Sequence, residues 1–354
     1  MRFLFVKPQR IGDALILTAT LRAVKESYPD AEIWVLIRRG SEDVLSGCPE
    51  VDRILTVAGP DDRKITLRSF RDGVLDLWRL RQARFDFVIE MSDSHRGRLF
   101  ASLTRAKKRY TIKLVGKLNR WEKLRFTAES TVDWEYIHRV ERDYFSVREF
   151  LPLRSTQPGP LVFDRDRTEP WPDAVGLTNF CLMQVGTWKD YGRWPKEQWR
   201  EVAVYLLEHF DHIIISGGVA PRELEDALWL QQQLGPRVIC TLGKTTWAQV
   251  AWLLNHSALY VGVDTAAMHL AAACGRPIVA KFTTTEDRWF PWQTKFRAVL
   301  PPSYITITDQ ALRKAKRREP KGEEITAQQM IDACEAMRKE LQLDGRAATS
   351  PVVS

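Results

Sequence analysis

The turn at Asp264-Thr265 is the first place in this chain where residue types and spacing indicate chemistry. A short apolar run from Tyr260 ends at this turn, and helical spacing follows from Ala266 to Cys274. Asp or Thr at a helix N-cap normally accepts the first free backbone N–H groups. The next N–H groups and the positive end of the helix dipole favour an anion such as phosphate. An ordinary capped helix in an α/β domain is the competing interpretation.

Other polar turns also follow apolar runs. One contains Asp13, a second carries Lys189 and Arg193, and a third is Gly217-Gly218. Lys and Arg in such a turn can donate to a diphosphate, and Arg is better suited to bidentate contact. Exposed loop charges are the competing interpretation of both cations.

The elements that must position these turns alternate between strand and helix. Predicted strands cover 2–7, 32–37, 53–57, 85–90, 179–185, 212–216, 237–242, 260–263 and 278–282, and predicted helices cover 14–28, 75–84, 134–150, 196–210, 222–234, 247–255, 266–274 and 325–341. Short β-α-β turns imply parallel sheets covered by helices, which bind ligands at the carboxyl ends of strands. We therefore predict an α/β protein of two Rossmann-like domains, and region 96–135 looks less regular.

A stretch rich in Pro, Asp, Arg and Thr divides the two β/α series. We predict an N-terminal domain over 1–160, a linker over 161–178 and a C-terminal domain over 179–325. A helix over 326–342 and a disordered tail over 343–354 complete the chain.

Charge and composition limit the classes of function. The contents of 44% hydrophobic and 28% charged residues are those of a soluble globular protein, and no apolar run is long enough to span a membrane. Residues 1–154 hold 30 basic and 22 acidic side chains, whereas residues 155–354 hold 23 of each. Region 96–125 has 11 basic residues and one acid, so the first half is expected to face an anionic partner.

Several cofactor classes lack their sequence signals. No G-x-G-x-x-G or G-x-x-x-x-G-K-[ST] motif is present, which weakens oxidoreductase and nucleotide-hydrolase interpretations. The 5 cysteines and 6 histidines have no metal-binding spacing, and the unpaired cysteine pattern indicates a reduced, cytoplasmic setting. The basic region carries no nucleic-acid motif. No metal, other cofactor or nucleic acid is expected.

Four motifs together carry a family resemblance that extends from residue 1 to about residue 340. They are Lys7-x5-Asp13, Trp194-Pro195, Gly217-Gly218 and Gly262-Val-Asp-Thr-Ala-Ala-Met-His-Leu-Ala-Ala-Ala. The combination resembles the ADP-heptose:lipopolysaccharide heptosyltransferase family of inverting glycosyltransferases. Ile11-Gly-Asp13, His138-Arg-Val-Glu-Arg142 and Arg288-Trp-Phe-Pro-Trp292 are similar to the core heptosyltransferase III type.

The resemblance implies a GT-B fold, with two domains facing a central cleft, and metal-independent transfer of heptose from ADP-L-glycero-D-manno-heptose. The acceptor would be the lipid A-Kdo-heptose inner core, and Asp13 would be the general base that takes the proton of its hydroxyl. The donor side would comprise Thr187, Lys189, Arg193, Gly217, Gly218, Glu223, Asp264, Thr265, Ala266 and His269. The acceptor side would comprise Arg63, Lys64, Arg120 and His138.

Purely structural roles are the alternative for some of these residues. Asp13 is also placed to cap the helix from Ala14, His269 to be a packed core residue, and Glu223 to be a solvated helix residue. The basic segment 96–125 either grips lipid A phosphates and the anionic inner leaflet, with Trp121 and Phe126 as apolar neighbours, or is a solvated loop.

The sequence departs from the family on the donor side. Ala266 stands where Gly is common, Gln184 where many members have His, and 283–286 replaces the usual Gly-x-Thr-Asp run. Alternatives are therefore transfer of another nucleotide sugar to a cell-surface glycan, or a catalytically inactive sugar-nucleotide-binding scaffold. We expect a monomer, peripheral on the cytoplasmic face of the inner membrane.

Overall fold

The computed structural model describes residues 1–58, 78–92, 94–112, 118–133, 137–187, 193–282, 287–301 and 325–342. The predicted site residues Arg63, Lys64 and Lys189 lie outside these ranges. The chain divides into two compact units, residues 1–164 and 165–354. Among the described residues, each unit is built around one six-stranded sheet.

The first unit has a parallel sheet in the order β3-β2-β1-β4-β5-β6. Its strands are β1 Arg2–Lys7, β2 Glu32–Arg38, β3 Arg53–Val57, β4 Phe87–Glu90, β5 Lys108–Thr111 and β6 Ala128–Glu129, and its helices are α1 Ile11–Ser27, α2 His95–Leu103, α3 Arg120–Arg125 and α4 Arg139–Phe150. The strand order reverses between β1 and β4. Ligands of such sheets bind beyond the carboxyl ends of the strands at this reversal.

The basic region 96–135 is more regular than its sequence indicates. It contributes two helices and the outer strands β5 and β6. Strand β5 pairs with β4, and Tyr110 stacks on Phe87 and Phe150, with ring centroids 6.3 Å and 4.2 Å away. Packing against neighbours therefore makes a strand of a segment whose own charge pattern shows none.

The second unit repeats the arrangement with the sheet order β12-β11-β10-β7-β8-β9. Its strands are β7 Phe180–Gln184, β8 His212–Ser216, β9 Val238–Cys240, β10 Tyr260–Val263, β11 Ile278–Lys281 and β12 Phe296–Val299, and its helices are α5 Lys196–Leu207, α6 Pro221–Leu234, α7 Trp247–His256, α8 Ala266–Ala273 and α9 Ala327–Leu341. All pairs are parallel, and the order reverses between β7 and β10.

Each core sits on both faces of its sheet. Strands β7, β10 and β11 are buried along their whole length, as expected for parallel strands covered by helices. Trp194 and Trp199 pack edge to face at 4.8 Å between ring centroids, against the sheet of the second unit. In the part of the chain that the structure describes, no helix combines the length and hydropathy needed to cross a membrane.

Candidate active site

Asp13 lies at the carboxyl edge of the first sheet, in the first turn of α1. The helix begins at Ile11, so Asp13 is not the N-cap residue that a start at Ala14 would make it. Its Oδ2 accepts a hydrogen bond of 3.3 Å from the backbone N–H of Arg10, which is the N-cap. The side chain is buried. Asp13 therefore contributes to capping while its carboxylate stays at the sheet edge where ligands bind.

A buried group of charges surrounds Asp13. Lys7, the last residue of β1, donates from Nζ to Asp143 of α4, and both side chains are completely buried. Arg142 donates to Asp143 Oδ1 from Nε at 3.1 Å and from Nη2 at 2.8 Å. Two cations and two carboxylates thus occupy one buried cluster, which we call the Lys7–Asp143 cluster. Sequence reasoning missed Asp143, because nothing in the chain links it to a residue 136 positions away.

The pKa values of the two carboxylates in this cluster are shifted in opposite directions. Burial raises the pKa of Asp13 above its ordinary value, against the attraction of Lys7 and Arg142. Burial would also raise the pKa of Asp143, but its contacts with Lys7 and Arg142 hold that pKa below the ordinary value. Asp143 is therefore the group that stays ionised, and Asp13 is the one poised to accept a proton.

At the carboxyl edge of the second sheet, Glu223 lies against the glycine turns after β7 and β8. Its Oε2 accepts a hydrogen bond of 2.7 Å from the backbone N–H of Gly218. A Cβ added to Gly186 would lie 2.5 Å from Cγ of Glu223, so a larger residue there would displace the Glu223 side chain. Glu223 is thus partly exposed, and its hydrogen bond ties it to these turns. It lies at the carboxyl edge of the second sheet.

Gln184 links the ends of the same two strands. Its Oε1 accepts a hydrogen bond of 2.7 Å from Ser216 Oγ, and its Nε2 donates to the carbonyl of Gly186 at 3.2 Å. Gln184 therefore fixes the turn beside Thr187.

The turn after β10 leads into α8 as the sequence predicts. Thr265 is the N-cap, but its side chain makes no capping hydrogen bond, which differs from our expectation for this turn. Asp264, Thr265 and Ala266 are partly exposed. His269, one turn further, is buried, and its ring centroid lies 6.4 Å from that of Trp289. The Thr265 side chain therefore does not cap the first backbone N–H groups of α8. An anion-binding site at a helix N-terminus requires N–H groups that are uncapped in this way.

Arg193 pairs with Asp226 of α6. Its Nε and Nη2 donate to the two carboxylate oxygens at 2.9 Å and 2.5 Å. Asp226 is buried, and the arginine side chain is 39% exposed. A bidentate pair of this kind fixes the plane of the guanidinium, so Arg193 is an oriented charge rather than a mobile loop cation.

Lys281 is a further charge that sequence reasoning missed. It ends β11 beside Val263, is 1% exposed, and has no hydrogen-bond partner for Nζ among the described residues. Its Nζ lies 6.0 Å from the centroid of the Trp194 ring. Burial lowers the pKa of Lys281 to about 8. A lysine within the apolar run Ile278–Phe282 was the available signal.

The two described residues assigned to the acceptor side lie at helix starts in the first unit. His138 caps α4, because its Nδ1 accepts a hydrogen bond of 3.1 Å from the backbone N–H of Val140. Arg120 is the exposed first residue of α3. Within the described ranges, no group of three or more His, Cys, Asp or Glu side chains is placed to hold a metal ion.

Two Rossmann-type units, each with polar turns at the reversal of its strand order, form the GT-B architecture of nucleotide-sugar glycosyltransferases. A model of glycosyltransferase family 9 (heptosyltransferase) matches residues 75–316. The chain belongs to this family, and the predicted resemblance is confirmed.

Individual relatives agree with this assignment. The chain is 25% identical over 291 residues to lipopolysaccharide heptosyltransferase 3 of Escherichia coli, covering 79% of this chain and 82% of the relative. A family 9 glycosyltransferase from Veillonella parvula has a similar fold, with a TM-score of 0.77, 19% identity, and coverage of 96% and 97% of the two chains. An E. coli heptosyltransferase solved with ADP gives a TM-score of 0.71 at 21% identity, covering 89% of this chain and 100% of that one. The protein is thus a glycosyltransferase of the lipopolysaccharide heptosyltransferase family.

Proposed function

We propose that this enzyme transfers heptose from ADP-L-glycero-D-manno-heptose to the lipid A-Kdo-heptose inner core, with inversion at the anomeric carbon. The observation that carries this proposal is the buried Asp13, whose pKa is raised by burial within the Lys7–Asp143 cluster. A general base works best when its pKa approaches the working pH.

In the proposed reaction, a hydroxyl oxygen of the acceptor attacks the anomeric carbon of the heptose. The new C–O bond forms as the bond to the ADP oxygen breaks, and the electron pair of that bond leaves with the diphosphate. Asp13 takes the hydroxyl proton. Such a base contributes about 10²–10⁴-fold to the rate.

The second unit supplies the proposed contacts to the donor. Negative charge that develops on ADP is stabilised by Arg193, held in orientation by Asp226, and by the N-terminus of α8 after Asp264 and Thr265. Lys189 and Thr187 are further proposed donors to the diphosphate. Glu223, which lies against the glycine turns, is proposed to contact the ribose. His269 is proposed to contact the sugar or phosphate.

No metal is assigned to this step, since fixed cations and backbone N–H groups carry the neutralisation. Turnover that is unchanged by EDTA is the expected result. Turnover that EDTA abolishes and Mg²⁺ restores would contradict the metal-independent proposal.

The proposed contacts to the anionic glycolipid come from the first unit and are Arg63, Lys64, Arg120 and His138. The protein is proposed to act as a monomer on the cytoplasmic face of the inner membrane. The excess of basic residues in the first half of the chain favours binding to the glycolipid and to the membrane surface, because phosphate and Kdo carboxylate groups are anionic.

Mass spectrometry of the product tests the function. The purified enzyme is incubated with ADP-heptose and a series of truncated core acceptors. The expected product is heavier by one heptose for one acceptor, and inversion is checked by NMR of the new linkage. If no acceptor gains mass, the heptosyltransferase proposal fails. Thermal shift with ADP, UDP and GDP separates the alternatives, since stabilisation by UDP or GDP alone favours another sugar and stabilisation by none favours a scaffold.

A further inference from the structure

Helix α3 buries its acidic side chain and exposes its apolar side chains, which is the reverse of the usual amphipathic helix. Its single carboxylate, Glu122, points inward and is buried, whereas Trp121 and Leu124 point outward with 43% and 86% of their surfaces exposed. Scattered exposed leucines are common on soluble proteins. Here, however, a six-residue helix buries its acid and presents its two large apolar side chains to solvent.

Charge contacts hold α3 in this orientation. Glu122 Oε1 lies 2.8 Å from Nε of Arg98, which is itself buried in α2. Its Oε2 accepts a hydrogen bond of 2.9 Å from the backbone N–H of Asn119, and Asn119 Oδ1 accepts one of 2.9 Å from the N–H of Glu122. Because the inner face of α3 is tied to the protein by these bonds, the apolar side chains are fixed on its outer face.

Two exposed basic side chains accompany the apolar pair on α3. Trp121, Leu124 and Arg125 are three and four residues apart and therefore share one helix face. The guanidinium of Arg125 lies 5.5 Å from the Trp121 ring centroid. Lys123 is exposed on the same short helix. We call Trp121, Lys123, Leu124 and Arg125 the α3 surface.

The structure also corrects the sequence-based view of this region. Phe126, expected as an apolar neighbour of the basic segment, is buried in the core of the first unit. Arg98 is used internally by Glu122, and Arg109 donates to the carbonyls of Thr104 and Arg125 at 2.8 Å and 3.4 Å. Among the described residues of the basic segment, Arg98 and Arg109 are therefore directed to internal partners, whereas the α3 surface is presented outward.

We propose that the α3 surface docks the enzyme on an anionic lipid bilayer, with Trp121 and Leu124 inserted at the headgroup boundary and Lys123 and Arg125 on the lipid phosphates. Tryptophan prefers this boundary because one side of its ring is apolar and its N–H is polar. Cations beside an interfacial apolar face bind anionic lipids. The inference rests on the proposed membrane-bound acceptor but concerns a different surface from Asp13 and the donor turns.

Vesicle sedimentation of the full-length protein tests this surface. Wild type is expected to bind phosphatidylethanolamine–phosphatidylglycerol vesicles, to bind phosphatidylcholine vesicles much less, and to be released by salt. Leu124→Gln should weaken binding about tenfold or more, because it removes a leucine from the apolar region. Lys123→Gln should weaken it about fivefold, the usual effect of one cation near an anionic surface.

A matched control is available in the second unit. Leu228 is an exposed leucine on α6, 40% accessible, so Leu228→Gln makes the same chemical change elsewhere and should leave vesicle binding unchanged. Equal binding by Leu124→Gln and wild type, or no binding of wild type to anionic vesicles, would overturn the proposal.

Turnover on a delipidated, water-soluble core acceptor separates this inference from the proposed function. Leu124→Gln should keep wild-type turnover on that substrate while losing vesicle binding. Loss of soluble turnover would mean that the α3 surface reads the acceptor sugar instead of the bilayer, which contradicts the inference. If wild type lacks turnover with every acceptor, the proposed function fails, and the vesicle result still decides the membrane surface.

Discussion

Replacing Asp143 by asparagine is expected to destabilise the first unit strongly. The substitution keeps the size of the side chain but removes the negative charge that pairs with Lys7 and Arg142. Lys7 and Asp143 are both fully buried, so solvent does not screen the loss. Removing one partner of a buried pair costs about 3–5 kcal/mol, against about 0–1 kcal/mol for an exposed pair. Asp13 stays nearby as a partial substitute, which places the expectation near the lower end.

Urea denaturation followed by circular dichroism measures this loss as a function of pH. Because the pKa of Asp143 is lowered in the folded state, its contribution is present above the ordinary aspartate pKa and disappears as the pH falls through the folded pKa. Wild type and Asp143→Asn should therefore differ most near neutral pH and converge in acid.

Glu149→Gln on the same helix is the matched control. Glu149 is exposed, and its Oε2 accepts a hydrogen bond of 2.8 Å from the backbone N–H of Thr131. This variant should lose no more than about 1 kcal/mol. If Asp143→Asn lost as little as Glu149→Gln, a buried ionised cluster could not be the arrangement in solution, and the reasoning would be refuted.

Three further predictions test the second unit and the base. Gly186→Ala places a methyl group 2.5 Å from Glu223 Cγ and should raise the Kd for ADP about tenfold by calorimetry. Gly159→Ala in the first unit, where an added Cβ meets no atom within 4 Å, is the control and should leave this Kd unchanged. Lys281→Met should raise the free energy of unfolding by up to about 3 kcal/mol below pH 8, because the wild-type ammonium is buried with a lowered pKa. This gain should shrink between pH 8 and 10. Urea denaturation that shows no gain would argue against a buried unpaired charge at Lys281. The acid limb of the wild-type kcat/KM profile should lie above the ordinary aspartate range, because Asp13 must be ionised to act and its pKa is raised. In Asp143→Asn this limb should move to lower pH. An unchanged limb would show that the pKa of Asp13 does not depend on Asp143.

Local sequence signals predicted much of the framework. Apolar runs followed by polar turns identified β1, β7, β8 and β10 and the turn at Asp264-Thr265, because parallel strands are buried throughout and end where ligands bind. Helical spacing likewise located most of the helices.

Long-range pairing was outside the reach of sequence reasoning. The contact between Lys7 and Asp143 joins residues 136 positions apart, and the pair of Arg193 with Asp226 crosses 33 positions. Strand β5 forms only because its neighbours supply stacking and ladder partners. The outward direction of Leu124 is set by Glu122 and its partners, which no periodicity in six residues can show.

The kinetics of Asp13→Asn with ADP-heptose test the central claim most directly. Asparagine fits the same volume but cannot take the proton from the acceptor hydroxyl. The proposed mechanism predicts that kcat falls by about 10²–10⁴-fold while the Kd for ADP and the urea midpoint stay close to wild type. An Asp13→Asn enzyme that transfers heptose at nearly the wild-type rate would contradict it.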